Sequence, residues 1–399
     1  MPATSPPQTV NAWLSERALA LKPSLTLAIA AKAKALKAEG RDICSLSAGE
    51  PDFDTPAFIR DAAAKALTEG QTRYGPAAGE PALREAIAAK LSSENLVPTQ
   101  PAQVLVTNGG KQALYNLFQV VLQSGDELLL PAPYWLSYPD MAELAGASVR
   151  LIPSHAADGF RLTPQALEAA ITPASKLLVL NSPGNPTGMV LSRRELEGLA
   201  AVLRRHPQLL VVCDEIYEFL VAPGHSHHSL AAVAPDLADR IFIVGGCAKG
   251  WAMTGWRIGW LAGHEAAIKA AAALQSQSTS NVCTFAQYGA LAAVSGPRDC
   301  VRAMAEQFNS RRQRLSDGLR AIEGVQLQPP EGAFYAFPDV SHYGLDSMSL
   351  CNRLLDEVGL AVVPGIAFGD DGCIRLSCAA SEATIDDGLD RLQRFLSAL

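Results

Sequence analysis

Residues 240–263 read RIFIVGGCAKGWAMTGWRIGWLAG: an apolar run, a glycine-rich segment carrying Lys249 and Arg257, and a second apolar run. RIFIV is apolar on successive residues instead of alternating with polar ones, as expected of a strand covered on both faces. Runs of the same kind recur upstream, as QVLVT (103–107), ELLL (127–130), SVRLI (148–152), KLLVL (176–180) and LLVVC (209–213). Helical stretches such as SRRELEGLAAVLRRH (192–206) separate them. This alternation, from about Thr55 to Ser280, predicts an α/β layer around a mostly parallel sheet. In such sheets ligands bind at the carboxyl ends of the strands. The polar signals NGGK (108–111), NSPGNPTG (181–188), DEIY (214–217) and GGCAK (245–249) each directly follow a strand. Beyond Cys283 the pattern changes to long helices and the short strands AFYAF, LAVVP and CIRLSC, then a final helix. The expected division is a large domain at 45–285 and a smaller α+β domain from 1–44 and 286–399.

With 399 residues, 48% hydrophobic and 18% charged, the chain has the makeup of a well-packed globular protein of two domains. The formal charge of −7 is spread without long runs of one sign, which argues against nucleic acid or an anionic membrane as partner. A small-molecule ligand fits better. Eight scattered cysteines contain no C-x-x-C pair, so neither a zinc ribbon nor a disulfide framework is indicated and a reducing cytoplasm is expected. The N-terminal MPATSPPQTV lacks the apolar stretch of a signal peptide and reads as a loosely docked arm.

Lys249 follows a strand among small residues, with Trp251 and Trp256 beyond it. A lysine nucleophile must be neutral, and a crowded apolar pocket lowers its pKa towards that state, so the position suits Schiff-base chemistry. The bland alternative is a solvated loop lysine. Arg257 begins the next strand, where its planar fork could grip a phosphate. Asp214 ends LLVVC, and a carboxylate at the edge of a buried strand needs a cationic partner. The pyridinium nitrogen of pyridoxal phosphate is such a partner, and a helix N-cap is the alternative. Tyr217 and Asn185 could reach the phenolate oxygen of the same ring; for Asn185 the alternative is an ordinary Gly/Pro turn. Gly109 and Gly110 lead into a helix whose free N–H groups favour an anion. Lys111 could neutralise that anion or reach a negative group on a substrate. Arg375, in CIRLSC, needs a planar anionic partner, either a substrate carboxylate or an internal acid. GHSHHS (224–229) reads as a solvated loop without nearby acids, and no metal site is expected.

Together these residues resemble the fold-type I, class I pyridoxal-phosphate aminotransferases, and among them the bacterial gamma-type aspartate enzymes. The likeness runs through LKPSLT, SAGEPDFDTP, YGPAAG, GGKQAL, PYWLSYP, NSPGNPTG, DEIY, AKGWAMTGWRIGW, VVPG and IRLSCA. It implies a seven-stranded sheet in the large domain, with Lys249 as the Schiff-base lysine and Arg257, Gly110 and Lys111 at the phosphate. Tyr74 is implied to reach the phosphate of a neighbouring subunit, hence a homodimer with shared sites. Trp135 is implied to stack on the ring, Asn185 and Tyr217 to hold its oxygen, and Asp214 its nitrogen. Gly49 and Arg375, with Trp135 and Asn185, resemble the cradle of the substrate α-carboxylate. Lys111 resembles the lysine for the distal carboxylate, and Lys22 one that assists a second carboxylate such as that of prephenate. Two departures stand out. Gly246-Cys247-Ala248 replaces a serine-x-serine before the lysine, and LQSQSTSN (274–281) lacks the arginine that animal-type enzymes supply from the other subunit. The implied reaction exchanges an amino group between an amino acid, aspartate foremost, and 2-oxoglutarate by ping-pong steps. A β-eliminating C–S lyase, an aminotransferase for aromatic or neutral amino acids, and a cofactor-binding regulator are the alternatives.

Overall fold

The computed structural model describes residues 13–21 and 25–399; Lys22 and the expected N-terminal arm lie outside them. The strands are β1 (Cys44–Ser45), β2 (Val104–Thr107), β3 (Glu127–Pro131), β4 (Ser148–Ile152), β5 (Ser175–Asn181) and β6 (Leu210–Asp214). They continue with β7 (Ile241–Gly246), β8 (Gly259–Ala262), β9 (Tyr335–Ala336), β10 (Leu360–Ala361), β11 (Val363–Pro364) and β12 (Ile374–Ser377). Seven of them form one sheet in the order β2-β8-β7-β6-β5-β3-β4. Only β8 runs against its neighbours, so β2, β7, β6, β5 and β3 all end on one edge.

The unbroken apolar runs make physical sense here. Side chains alternate faces along a strand. Leu129, Leu178, Val211 and Ile243 enter one core, while their neighbours Leu128, Leu177, Val212 and Val244 enter another on the opposite face. Both faces are covered, so both parities must be apolar. The outer strand β4 is the exception, with Ser148, Arg150 and Leu151 exposed.

A third core joins Leu46 to Phe308, Phe334, Ile374, Leu376 and Leu392, around the antiparallel trio β11-β12-β9 and the parallel pair β1-β10. The helix Thr284–Ser295 packs on the helices Ala57–Thr68 and Pro81–Ser93 and puts Ala286, Ala290 and Ala293 into the larger core. In the next helix, Asp299–Arg320, Val301 belongs to that core and Phe308, Leu315 and Leu319 to the smaller one. We propose that the two domains change over inside this continuous helix and not at 285/286.

Candidate active site

A cavity of about 930 Å³ opens where the carboxyl ends of the strands face the smaller core. The register sets its floor. Asn181 pairs with Asp214 and Asp214 with Val244, two residues before Gly246, so the loops after β5, β6 and β7 emerge side by side. Gly49, Gly110, Lys111, Trp135, Asn185 and Asp214 reach this cavity, and so do Tyr217, Lys249, Arg257 and Arg375. Ten expected residues distant in sequence are thereby brought together. Tyr74 is not: its side chain is 91% exposed, outside the cavity lining.

Glycines let the loops approach. Gly109 has φ +82°, and a Cβ there would meet the Arg257 guanidinium at 2.6 Å. A Cβ on Gly259 would fall 2.5 Å from the Gly110 nitrogen, so β8 can lie under this loop only without a side chain. The helix Gly110–Val121 then starts at the cavity with no side chain capping it. Arg257 itself is held at φ +56°, a left-handed conformation that costs a non-glycine residue roughly 1–2 kcal/mol. Its guanidinium donates to the Thr254 and Asn108 carbonyls at 2.9 and 3.2 Å.

The Lys249 amine donates to the Gly49 carbonyl and lies 5.6–5.7 Å from the ring centres of Phe334 and Tyr217. Burial pushes it down to about 8, against the pull of Glu50, with Arg375 and Arg257 adding to the depression. Asp214 accepts from the Tyr138 hydroxyl at 2.8 Å and from the Ile216 N–H at 3.2 Å. Burial raises it to about 6 although both hydrogen bonds favour the charged form, and among the described residues no cation is ion-paired with it. Lys111 lies with its ammonium 4.9 Å from the centre of the Trp135 ring; burial and then Arg257 lower its pKa.

Arg375 is 2% exposed. It donates to Asn185 Oδ1 at 3.0 Å and to the Ser47 carbonyl at 3.1 Å, and its Nε has no partner. Among the described residues no carboxylate neutralises it, which excludes the internal ion pair left open above.

Three residues of the site escaped the sequence reading. Tyr138 holds Asp214, Asn181 bridges the Asp214 carbonyl and the Asn185 N–H, and Tyr335 touches both Tyr217 and Arg375. Tyr138, in PYWLSYP, and Asn181, in NSPGNPTG, stand inside motifs already singled out; nothing in AFYAF marks Tyr335.

GHSHHS needs a correction. His227 is not a solvated loop residue, because the loop folds back and sets His227 Nε2 3.2 Å from Glu215 Oε2. Ligand atoms of Glu215, Glu218 and His227 lie within 4.8 Å of one another, but the Lys90 ammonium already bonds Glu218 and Asn95 in the same cluster. The acids, in DEIYE (214–218), stand only nine to twelve residues before His227, but no spacing in the sequence shows that the loop folds back onto them.

Residues 41–392 match the family model for aminotransferase class I and II. The chain belongs to this family. It is 44% identical to an aspartate/prephenate aminotransferase of Cereibacter sphaeroides, over 97% of this chain and 100% of the relative. It is likewise 44% identical to an aspartate aminotransferase of Geobacillus stearothermophilus, over 96% and 99%. Among solved structures it is similar to the aspartate aminotransferase from Rhizobium meliloti, with a TM-score of 0.93 and 38% identity over 96% and 98% of the two chains. The Thermus thermophilus aspartate aminotransferase with maleate gives 0.91 and 44% over 96% and 99%. The protein is therefore a pyridoxal-phosphate-dependent aminotransferase of fold type I. Its site fits that cofactor: a buried acid without a cation, an uncapped helix start beside two cationic side chains, and a depressed lysine amine share one cavity. Among the described residues no helix is long and apolar enough to cross a membrane.

Proposed function

We propose that this aminotransferase moves the amino group of L-aspartate to 2-oxoglutarate and also accepts prephenate. The observation that carries this reading is the presence of two cationic side chains, Arg375 and Lys111, around the same cavity as Lys249. Dicarboxylates need two such contacts. The names of the relatives, aspartate and aspartate/prephenate aminotransferase, support it further.

Lys249 is the proposed covalent attachment point, with Arg257, Lys111 and the Gly110 helix start holding the phosphate and Trp135 facing the ring. Asp214 is proposed to hold the ring nitrogen, and Asn185 and Tyr217 the ring oxygen. Pyridoxal phosphate, when bound, supplies an electron sink for negative charge at the substrate Cα. Once the substrate's amino group has displaced it, Lys249 would take the Cα proton on Nζ and deliver it to the cofactor carbon, as general base and then acid; an amine near 8 keeps a usable neutral fraction at neutral pH. Arg375, aided by Gly49, Trp135 and Asn185, grips the α-carboxylate, and Lys111 the distal one, which orients the Cα–H bond. Lys22 is proposed to assist a second carboxylate. The exposure of Tyr74 supports a homodimer in which it reaches the other subunit's site. All eight cysteines are free, which supports a reducing, cytoplasmic setting.

The deciding assay mixes the purified enzyme with aspartate and 2-oxoglutarate, where oxaloacetate and glutamate are expected. Pyruvate from cystathionine without oxaloacetate would mean a C–S lyase. Lys111→Ala should lower kcat/KM for aspartate far more than for alanine or phenylalanine; an equal loss for all three would confine Lys111 to the phosphate.

A further inference from the structure

Tyr335 is 1% exposed and lies on β9, opposite Ser377 of β12. Arg375 stands two residues from Ser377 on the same strand, and so on the same face, a diagonal neighbour of Tyr335 within reach of a long side chain. The contact is made: the Arg375 guanidinium sits 4.4 Å from the centre of the Tyr335 ring, with Phe368 4.9 Å away. At its other end, the Tyr335 hydroxyl lies 3.0 Å from that of Tyr217. One side chain of the smaller core thus touches the cation proposed for the α-carboxylate and the phenol proposed for the ring oxygen.

The direction of the Tyr217–Tyr335 hydrogen bond matters. A phenol has one proton to donate. If Tyr217 gave its proton to Tyr335, none would remain for an acceptor in the cavity. If Tyr335 donates, the Tyr217 proton is free to point at that acceptor, and a hydroxyl that accepts one hydrogen bond becomes a better donor in the next. Among the described residues neither hydroxyl has another hydrogen-bond partner, so nothing else in the protein competes for this arrangement. The ring of Tyr335 has a separate effect. Stacking holds the guanidinium plane, worth more when the cation is desolvated, as Arg375 is.

We propose that Tyr335 is a positioning residue with two separable effects: its hydroxyl directs the Tyr217 proton towards the cofactor's ring oxygen, and its ring fixes Arg375 for the substrate carboxylate. This rests on the aminotransferase site proposed above and extends it to a residue of the cavity wall that acts through Arg375 and Tyr217.

The test compares the holoenzyme with Tyr335→Phe and Tyr335→Leu. The bound cofactor's absorbance is titrated with pH, and the dissociation constant of succinate, which has no amino group to react, is read from the same spectra. Losing the hydroxyl that donates to Tyr217, and so strengthens Tyr217 as a donor to the ring oxygen, should move the spectral midpoint of Tyr335→Phe by roughly half a unit or more, the scale of one ordinary hydrogen bond. Succinate binding should stay within about twofold of wild type in Tyr335→Phe, whose ring still stacks, and weaken about tenfold in Tyr335→Leu. A Tyr335→Phe midpoint equal to that of wild type overturns the proposal, and it can be read even if Tyr335→Leu fails to fold. Equal succinate weakening in both variants also overturns it, because hydroxyl and ring would then not be separable. Failure of the site reading itself would show in the wild-type protein, as absence of a titrating chromophore.

Discussion

Two sets of buried charges meet at one peptide bond. Asp214 faces the cavity with Lys249 and Arg375, while its neighbour Glu215 faces away, towards His227, Asn95, Lys90 and Glu218. On the second side the charges answer one another: Lys90 bonds Glu218 and Asn95, and Asn95 donates to Glu218 at 2.8 Å. Glu218 is accordingly held below its usual range; burial alone would raise it, and Lys90 with His227 more than reverses that. On the first side burial dominates: Asp214 is raised, and Lys249 and Arg375 are lowered. A closed set is structural, stabilised within the chain. An open set carries an uncompensated desolvation cost, which a ligand of complementary charge can offset.

Removing one lysine from each side should separate the two sets most strongly. Lys249→Ala should lower the rate of amino transfer by roughly 10⁴-fold, measured in single turnover with aspartate, since the proton acceptor is lost. The midpoint of denaturation of the cofactor-free protein should not fall, because a buried amine without an ionic partner is removed. A marked loss of stability would show that Lys249 belongs to a closed set after all. Lys90→Met should do the opposite. It leaves Glu218 buried and unpaired, at a cost of about 3–5 kcal/mol in urea unfolding. The folded fraction should retain most of its activity, because Lys90 does not reach the cavity.

The difference between the two sets also explains what could be read from the sequence. The parallel sheet was legible because both faces of β5, β6 and β7 are covered, which leaves continuous apolar runs. Most cavity residues were legible because they follow a strand end, where the polar NSPGN after KLLVL or the acid after LLVVC is conspicuous, and Arg375 because it is a charge inside the apolar strand CIRLSC. The closed set was not, since Lys90 and Asn95 come from one helix end and Glu218 and His227 from the loop after β6, which must fold back on itself and onto that helix, and no short-range pattern encodes their meeting. Tyr335 escaped for a related reason. In AFYAF it is one aromatic among apolar residues, and its role depends on Arg375 and Tyr217 arriving from positions far away. The change-over proposed above differs from the division expected at 285/286 because a helix that touches two cores carries one uninterrupted amphipathic pattern.

The smallest effect is one of sign. Asp214 is raised from the usual 3.8 to about 6 in the cofactor-free protein, by burial first. An acid whose folded pKa lies above its unfolded value binds its proton more tightly in the folded state. Its contribution to stability is complete below about pH 4 and is lost as pH rises through about 6. Glu218, lowered from 4.5, contributes above that pH and loses its contribution as pH falls. His227 behaves like Asp214 in sign: burial pulls it down, Glu215 and Glu218 more than restore it, and its contribution fades as pH rises past 6.5. Unfolding of the cofactor-free protein should therefore become easier between pH 4 and 6 on account of Asp214, and Asp214→Asn should remove that part of the slope. Lys90→Met removes the cation that lowers Glu218, so it should reduce the loss of stability below pH 4.5 and leave the Asp214 slope in place. If Asp214→Asn and wild type show the same pH dependence from 4 to 6, the carboxylate has a cationic partner within the chain, and the contrast between open and closed sets falls.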